Sequence, residues 1–216
     1  MNRRTLLATV GSTLTLGAGC VSQSSSEEPT TTADPRDVVT TTATATADTP
    51  TPIDIDSRFV DISCPSFAEA DRTVCYHTLA GRSPAVYVAP STELFEPTTD
   101  DDTVETVEFT LHNHSGASFG LNPHAWQLHE RTDGGWSFVA PEEYVEPWNT
   151  VPSGETYTWH LSVEQHSTPM SEDTMTLVQD LATGVYAFQI TGFVAADTEE
   201  ATNVECIALF EVQRTA

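Results

Sequence analysis

Two segments, TVETVEFTLHN (residues 103–113) and ETYTWHLSVE (residues 155–164), decide the fold class. In the first segment, Val107, Phe109 and Leu111 are separated by polar residues, and the second segment alternates in the same way. A period of two is typical of a strand that buries one face and exposes the other. The sequence therefore predicts β-strands in both places.

The same reading predicts further strands along the C-terminal three-quarters of the chain. They lie at residues 84–90, 125–132, 136–141, 185–193 and 204–213. Only residues 66–72 and 172–181 are candidates for short helices. About seven to nine short strands separated by turns indicate an all-β sandwich or barrel.

Turn signals support this architecture. The segment RTDGGW (131–136) predicts a hairpin, since glycine tolerates positive φ. In LATGVYAF (181–188), Leu181, Gly184 and Tyr186 have the spacing of a tyrosine corner, in which a Tyr hydroxyl bonds upstream backbone and fixes a Greek-key arch.

The order of these elements over residues 104–192 resembles the bacterial Ig-like domains of secreted and surface proteins. The matching positions are Asn113, Gly135, Trp136, Pro152, Gly154, Glu155, Leu181, Gly184 and Tyr186. The resemblance implies an Ig-like Greek-key β-sandwich and a surface setting, and it implies no reaction.

The N-terminus, MNRRTLLATVGSTLTLGAGC (1–20), is typical of an export signal. Arg3 and Arg4 precede a weakly apolar stretch that is too short to span a membrane. The paired arginines favour the route that exports folded proteins. The segment resembles a haloarchaeal-type lipobox, which predicts lipidation at Cys20. Because Gly17 stands where that pattern has leucine, a plain signal peptide remains an alternative.

Residues 21–57 are rich in Thr, Ser, Pro, Ala and Asp and hold almost no large apolar side chains. Such a segment cannot bury enough surface to fold, so we expect a disordered stalk.

Residues 58–216 have the size of one domain. We therefore expect a lipid anchor that holds the domain at the extracellular face of the cell membrane. A single lipid chain anchors weakly and needs a second contact.

The chain is strongly acidic. The 216 residues include 32 acids and 8 arginines, with no lysine, for a net charge of −24. Self-repulsion of this size is largely screened in molar salt, which favours a halophilic source. A surface this acidic excludes nucleic acid as a partner.

Three cysteines follow Cys20. Cys64 and Cys75 bracket a short loop and are the favoured disulfide, which leaves Cys206 as a buried thiol in the last strand. The pairing of Cys75 with Cys206 is the alternative.

The stretch LHNHSGASFGLNPH (111–124) contains several residues with possible functional roles. A copper or zinc site would use the histidines of this stretch and the next strand, which are His112, His114, His124 and His129. Asn113 begins an N-glycosylation sequon in an expected exposed loop. Ser118 lies in a Gly-x-Ser-x-Gly pattern, but a strand pattern follows where a nucleophile elbow needs a helix.

Two loop features complete the candidates. Trp148 in VEPWNTV lies in a predicted loop and is the aromatic residue most suited to contact a partner. Asp100, Asp101 and Asp102 could hold a cation, although three adjacent acids are typical of a solvated loop.

These observations favour a non-catalytic surface module that serves binding, adhesion or envelope structure. It would need no cofactor, and its partner would be a protein or a glycan. Two alternatives stay open at this stage. One is a proteinase inhibitor that uses the loops LNPHAW and VEPWNTV, and the other is a copper- or zinc-binding surface protein.

Overall fold

A computed structural model describes residues 52–98, 104–163, 173–195 and 201–214. The predicted leader with Arg3, Arg4 and Cys20, most of the predicted stalk, and the acidic run 100–102 lie outside the described residues. None of the described residues belongs to a helix that is long and apolar enough to cross a membrane.

The described chain forms strands and one 3-10 turn, Tyr76–Thr78. The strands are β1 (Arg72–Cys75), β2 (Val86–Pro90), β3 (Leu94–Phe95), β4 (Val107–Asn113), β5 (Ser118–Leu121), β6 (Gln127–Thr132), β7 (Gly135–Ala140), β8 (Asn149–Val151), β9 (Thr156–Ser162), β10 (Thr174–Val178), β11 (Gly184–Ala195) and β12 (Thr202–Val212).

These strands form two sheets. The larger has the order β1-β12-β11-β5-β8, with β3 on β12 and the hairpin β6–β7 on β11, and the smaller has the order β10-β9-β4-β2. Most pairs are antiparallel, and the parallel ones join β1 and β3 to β12 and β10 to β9. The predicted Ig-like all-β sandwich is confirmed.

The strand count differs from the prediction. The described residues form twelve strands instead of about seven to nine, because β1, β3, β5 and β8 have four residues or fewer and are too short to show a period.

Both predicted helices are wrong. The described residues of 172–181 contain strand β10, in which Met175 and Leu177 alternate with β-branched residues. Residues 66–72 form an irregular segment that ends where β1 begins.

Stacked aromatic rings join the two sheets. Phe109 of β4 and Phe188 of β11 have ring centroids 4.2 Å apart at an interplanar angle of 6°. The Trp159 ring centroid lies 5.5 Å from that of Phe188, and the indole N–H donates to the carbonyl oxygen of Pro123 at 2.8 Å. The alternating residues identified in β4 and β9 therefore form the interior of the sandwich.

The predicted turns are also confirmed. The hydroxyl of Tyr186 donates to the carbonyl oxygen of Ala182 at 3.0 Å, which is the tyrosine corner. Thr132 pairs with Gly135 at the end of the β6–β7 hairpin, where Gly135 has φ 118°.

A third layer covers the outer face of the larger sheet. Phe59, Ile62 and Phe67 pack on the outward residues Ile207 and Leu209 of β12. Strand β12 is therefore buried on both faces, which explains its nearly continuous apolar sequence VECIALF (204–210).

Two carboxylates hold this third layer in place. Glu205 is fully buried and accepts hydrogen bonds from the backbone N–H groups of Phe67 and Ala68 at 2.7 and 2.9 Å. Its other oxygen accepts from the hydroxyls of Ser66 and Thr73, each at 2.9 Å. At the other end of the layer, Glu93 accepts from Ser57 and from the N–H of Arg58.

Cys64 and Cys75 form a disulfide within this layer, the pairing that the sequence favours. Cys206 is a buried free thiol, and burial raises its pKa.

The folded part of the chain begins earlier than the expected boundary at residue 58. Ile53 exchanges backbone hydrogen bonds with Gly81 and Arg82, and Ser57 is buried. Residues 53–57 directly follow the Thr- and Pro-rich segment and are too short to show a strand period, but backbone hydrogen bonds at Ile53 attach them to the domain.

Glu205→Ala should lower the free energy of unfolding by at least about 3 kcal/mol, because two buried N–H groups and two hydroxyls lose their acceptor. Urea denaturation at constant high salt measures this change. Glu211→Ala is the matched control on the same strand, since Glu211 is partly exposed and its ion pair with Arg58 should contribute at most about 1 kcal/mol. Equal losses in the two variants would contradict a special role for Glu205.

Candidate functional site

The four histidines proposed as metal ligands do not converge. His112 and His114 lie at the end of β4 in the smaller sheet, with ring centroids 6.0 Å apart, and the His112 ring stacks on Tyr87 at 4.7 Å. His129 belongs to the larger sheet, where its ring stacks on Phe67 at 3.6 Å, and His124 lies in the loop after β5. Proximity in sequence misled the prediction because β4 and β6 belong to different layers.

No group of three or more His, Cys, Asp or Glu side chains suited to a metal ion exists within 52–98, 104–163, 173–195 and 201–214. The prediction of a shared copper or zinc centre built from these four histidines is therefore wrong.

Asn113 is buried, which contradicts its expected glycosylation in the folded domain. Its side-chain NH2 group donates to the carbonyl oxygens of Ala117 and Val151 at 2.8 and 2.9 Å. Its side-chain oxygen accepts from the N–H and the hydroxyl of Ser115. The amide thus holds the β4–β5 turn together and is not free to carry a glycan.

Trp148 lies where the sequence predicts, in a loop and exposed. The loop between β7 and β8, residues 141–148, carries three exposed apolar side chains, with Tyr144 53 %, Val145 61 % and Trp148 63 % accessible. Phe193 of β11 is also exposed, and its ring centroid lies 6.3 Å from that of Trp148. We call these four residues the aromatic loop surface.

A glycine lets Trp148 lie against the sheet. A Cβ atom at Gly120 of β5 would come within 2.5 Å of the Trp148 ring. The indole therefore rests directly on the backbone of the larger sheet, on its outer face beside Phe193. Sequence reasoning missed Phe193 and Gly120 because nothing local in β5 or β11 indicates that a distant loop folds onto them.

The two loops singled out from the sequence lie together. The side-chain NH2 of Asn122 donates to the carbonyl oxygen of Val145 at 2.8 Å, and the Asn122 oxygen accepts from the N–H of His124. The Asn122 loop is itself fixed to the core, since Pro123 accepts from Trp159 and Trp126 is buried. The exposed loop 141–148 is thus attached to a rigid support.

A cavity of about 430 Å³ opens between these loops and strand β10. Its apolar walls come from Trp126, Pro141, Tyr144, Val145, Met175 and Leu177, and its polar lining comes from His124, Glu143 and Thr176. The sequence indicated the two loops of this region but not the wall from β10, because residues 172–181 are a helix candidate by sequence and Met175 and Leu177 belong to a strand in the structure.

The region is acidic as well as apolar. Glu142, Glu143 and Glu146 are exposed in the same loop, and none of them forms an ion pair with another described residue. Over residues 58–216 the chain has 25 acids and five arginines, a net charge of −20. The surface therefore combines apolar contact area with negative charge.

Comparison with known proteins gives no family. No family model matches the chain, and no curated protein matches it. Among solved structures, the chain is similar to Northeast Structural Genomics Consortium target SoR45, with 17 % identity, a TM-score of 0.30, and coverage of 59 % of this chain and 86 % of that one.

A second similar structure is the ASH/PapD-like domain 7 of human CEP192, with 11 % identity and a TM-score of 0.28, covering 59 % of this chain and 84 % of that one. The TM-scores are too low for either protein to guide a functional argument.

Several histidines make the stability of the fold depend on pH. Burial lowers the pKa of His77, His112 and His129, and the neighbouring His114 adds to this for His112. The folded state therefore binds fewer protons than the unfolded state below about pH 6.5. The free energy of unfolding is therefore highest above that pH. It declines as the pH falls, by at most about 1.4 kcal/mol per pH unit for each histidine.

His112→Gln should flatten the decline in unfolding free energy between pH 7.5 and about 5.5, because it removes one group that must stay neutral. Denaturation at a series of pH values in constant salt gives the slope. Thr156→Gln, at the position paired with His112, introduces the same side chain without removing an ionisable group, and should leave the slope as in the wild type. An unchanged slope in His112→Gln would refute the prediction.

Proposed function

We propose that the protein is a non-catalytic binding module, held by a lipid on Cys20 at the extracellular face of the cell membrane in a halophile. Its partner contacts are made through the aromatic loop surface. The proposal for the anchor rests on Arg3, Arg4 and the lipobox-like segment that ends at Cys20. The halophilic setting rests on the net charge of −24 and the absence of lysine.

One observation carries the proposal for binding. Tyr144, Val145 and Trp148 expose apolar side chains within one loop of a strongly acidic protein, and the exposed Phe193 lies next to Trp148. Exposed contiguous apolar patches with a polar rim mark interaction sites, and Trp and Tyr are frequent among the residues that dominate interfaces. The Ig-like sandwich supplies the fixed frame that such a loop needs.

Proteinase inhibition is the second candidate. The observation that favours it is the Asn122–Val145 hydrogen bond, which joins the loops LNPHAW and VEPWNTV at one edge of the domain. Two adjacent rigid loops could enter a protease cleft together. In this case the aromatic loop surface would be the part that contacts the enzyme.

Affinity capture with the intact protein tests the binding surface. Wild-type protein, Trp148→Asp and Val60→Asp are immobilised in high salt and exposed to solubilised cell envelope and to secreted proteins. Val60 is 69 % exposed in the third layer and serves as the matched apolar control. We expect the same proteins to be retained by the wild type and by Val60→Asp, and at least tenfold less of them by Trp148→Asp, since interface tryptophans commonly contribute more than 1.4 kcal/mol.

Retention of one protein set by all three baits, or by none, would overturn the proposal. Retention of a secreted protease whose activity falls on binding would select the inhibitor function over a structural or adhesive one.

A further inference from the structure

The cavity beside the aromatic loop surface has a chemically mixed lining. Trp126 and Met175 form an apolar interior, whereas Tyr144 and Glu143 come from the exposed loop at its side. Its volume of about 430 Å³ leaves room for one long side chain. An occupant must therefore combine an apolar stem with a group that suits a carboxylate.

The charge around the cavity selects the sign of that group. Glu143 lines the cavity, Glu142 and Glu146 flank it, and no arginine or lysine occurs in the sequence between residues 132 and 181. The described lining residues include no Arg or Lys. An anionic occupant would be repelled, and a neutral apolar one would cover the Glu143 carboxylate without replacing its water. A cation satisfies both conditions.

The chemistry of the walls distinguishes among cations. In concentrated salt the long-range attraction between exposed charges is screened, so recognition depends on direct contact. A guanidinium is weakly hydrated, stacks on aromatic rings and pairs with a carboxylate through two N–H groups, whereas an ammonium is strongly hydrated. Trp126 and Tyr144 contribute aromatic rings to the same lining as Glu143, and the apolar walls suit the methylene stem of arginine.

We infer that this cavity accommodates an arginine side chain of the protein partner, with its stem against Trp126 and Met175 and its guanidinium against Glu143 and Tyr144. The inference rests on the proposed function and adds the identity of a partner residue. Trp148 and Phe193 would then contact the partner segment next to that arginine, since they belong to the same loop surface.

A small-molecule titration tests this without the partner. Butylguanidinium, which reproduces the arginine stem and head, is added to the intact protein at constant high KCl while the indole N–H signals of Trp126 and Trp148 are followed by NMR. Pentanoate is the matched probe with a similar stem and a carboxylate head. Glu143→Gln removes the lining charge, and Glu142→Gln is the matched control, because Glu142 is exposed in the same loop and does not line the cavity.

Butylguanidinium should shift the Trp126 signal saturably, and pentanoate should not. Glu143→Gln should weaken binding about five-fold and Glu142→Gln should leave it unchanged. A missing saturable shift, equal binding of pentanoate, or equal effects of the two substitutions would each overturn the inference. If any of these occurs while Trp148→Asp still abolishes partner capture, only the arginine site is refuted and the binding surface stands.

Discussion

The buried carboxylate of Glu205 is the constraint on which the outer half of the structure depends. The outward residues Ile207 and Leu209 are as apolar as the inward ones, so the larger sheet needs a second cover. Glu205 supplies four hydrogen-bond acceptor contacts that fix residues 66–68 and Thr73 on that face. A buried carboxylate is tolerated only when its hydrogen bonds are satisfied in this way. The disulfide from Cys64 to Cys75 closes the same layer.

The third layer covers one end of the outer face of the larger sheet, and the loop 141–148 covers the other end. From Ala187, where the third layer packs, to Phe193, strand β11 extends for about 20 Å. At the Phe193 end the sheet is covered by the Trp148 indole, which remains largely exposed. The aromatic loop surface is thus a part of the outer face that stays exposed to solvent. Under the proposed function, a partner would cover it.

Sequence reasoning succeeded where the signal was local. Alternation in β4 and β9, the Tyr186 corner and the Gly135 hairpin each depend on a few adjacent residues. It failed where contacts link distant residues. The bonds from residues 66–68 to Glu205 span more than 130 positions, so nothing near 66–72 distinguished a tethered segment from a helix.

The candidate site shows the same division. Trp148 was recognisable as a loop aromatic, but its support at Gly120 and Phe193 comes from strands elsewhere in the chain. The histidines are close in sequence but lie in separate layers.

Crosslinking in the producing cells tests whether the aromatic loop surface binds a partner. A photoreactive phenylalanine analogue replaces Tyr144, and the same analogue at Val60 serves as the reference. We expect a discrete adduct from position 144 and none from position 60. No adduct from 144, or the same adduct from both, would contradict binding through this surface.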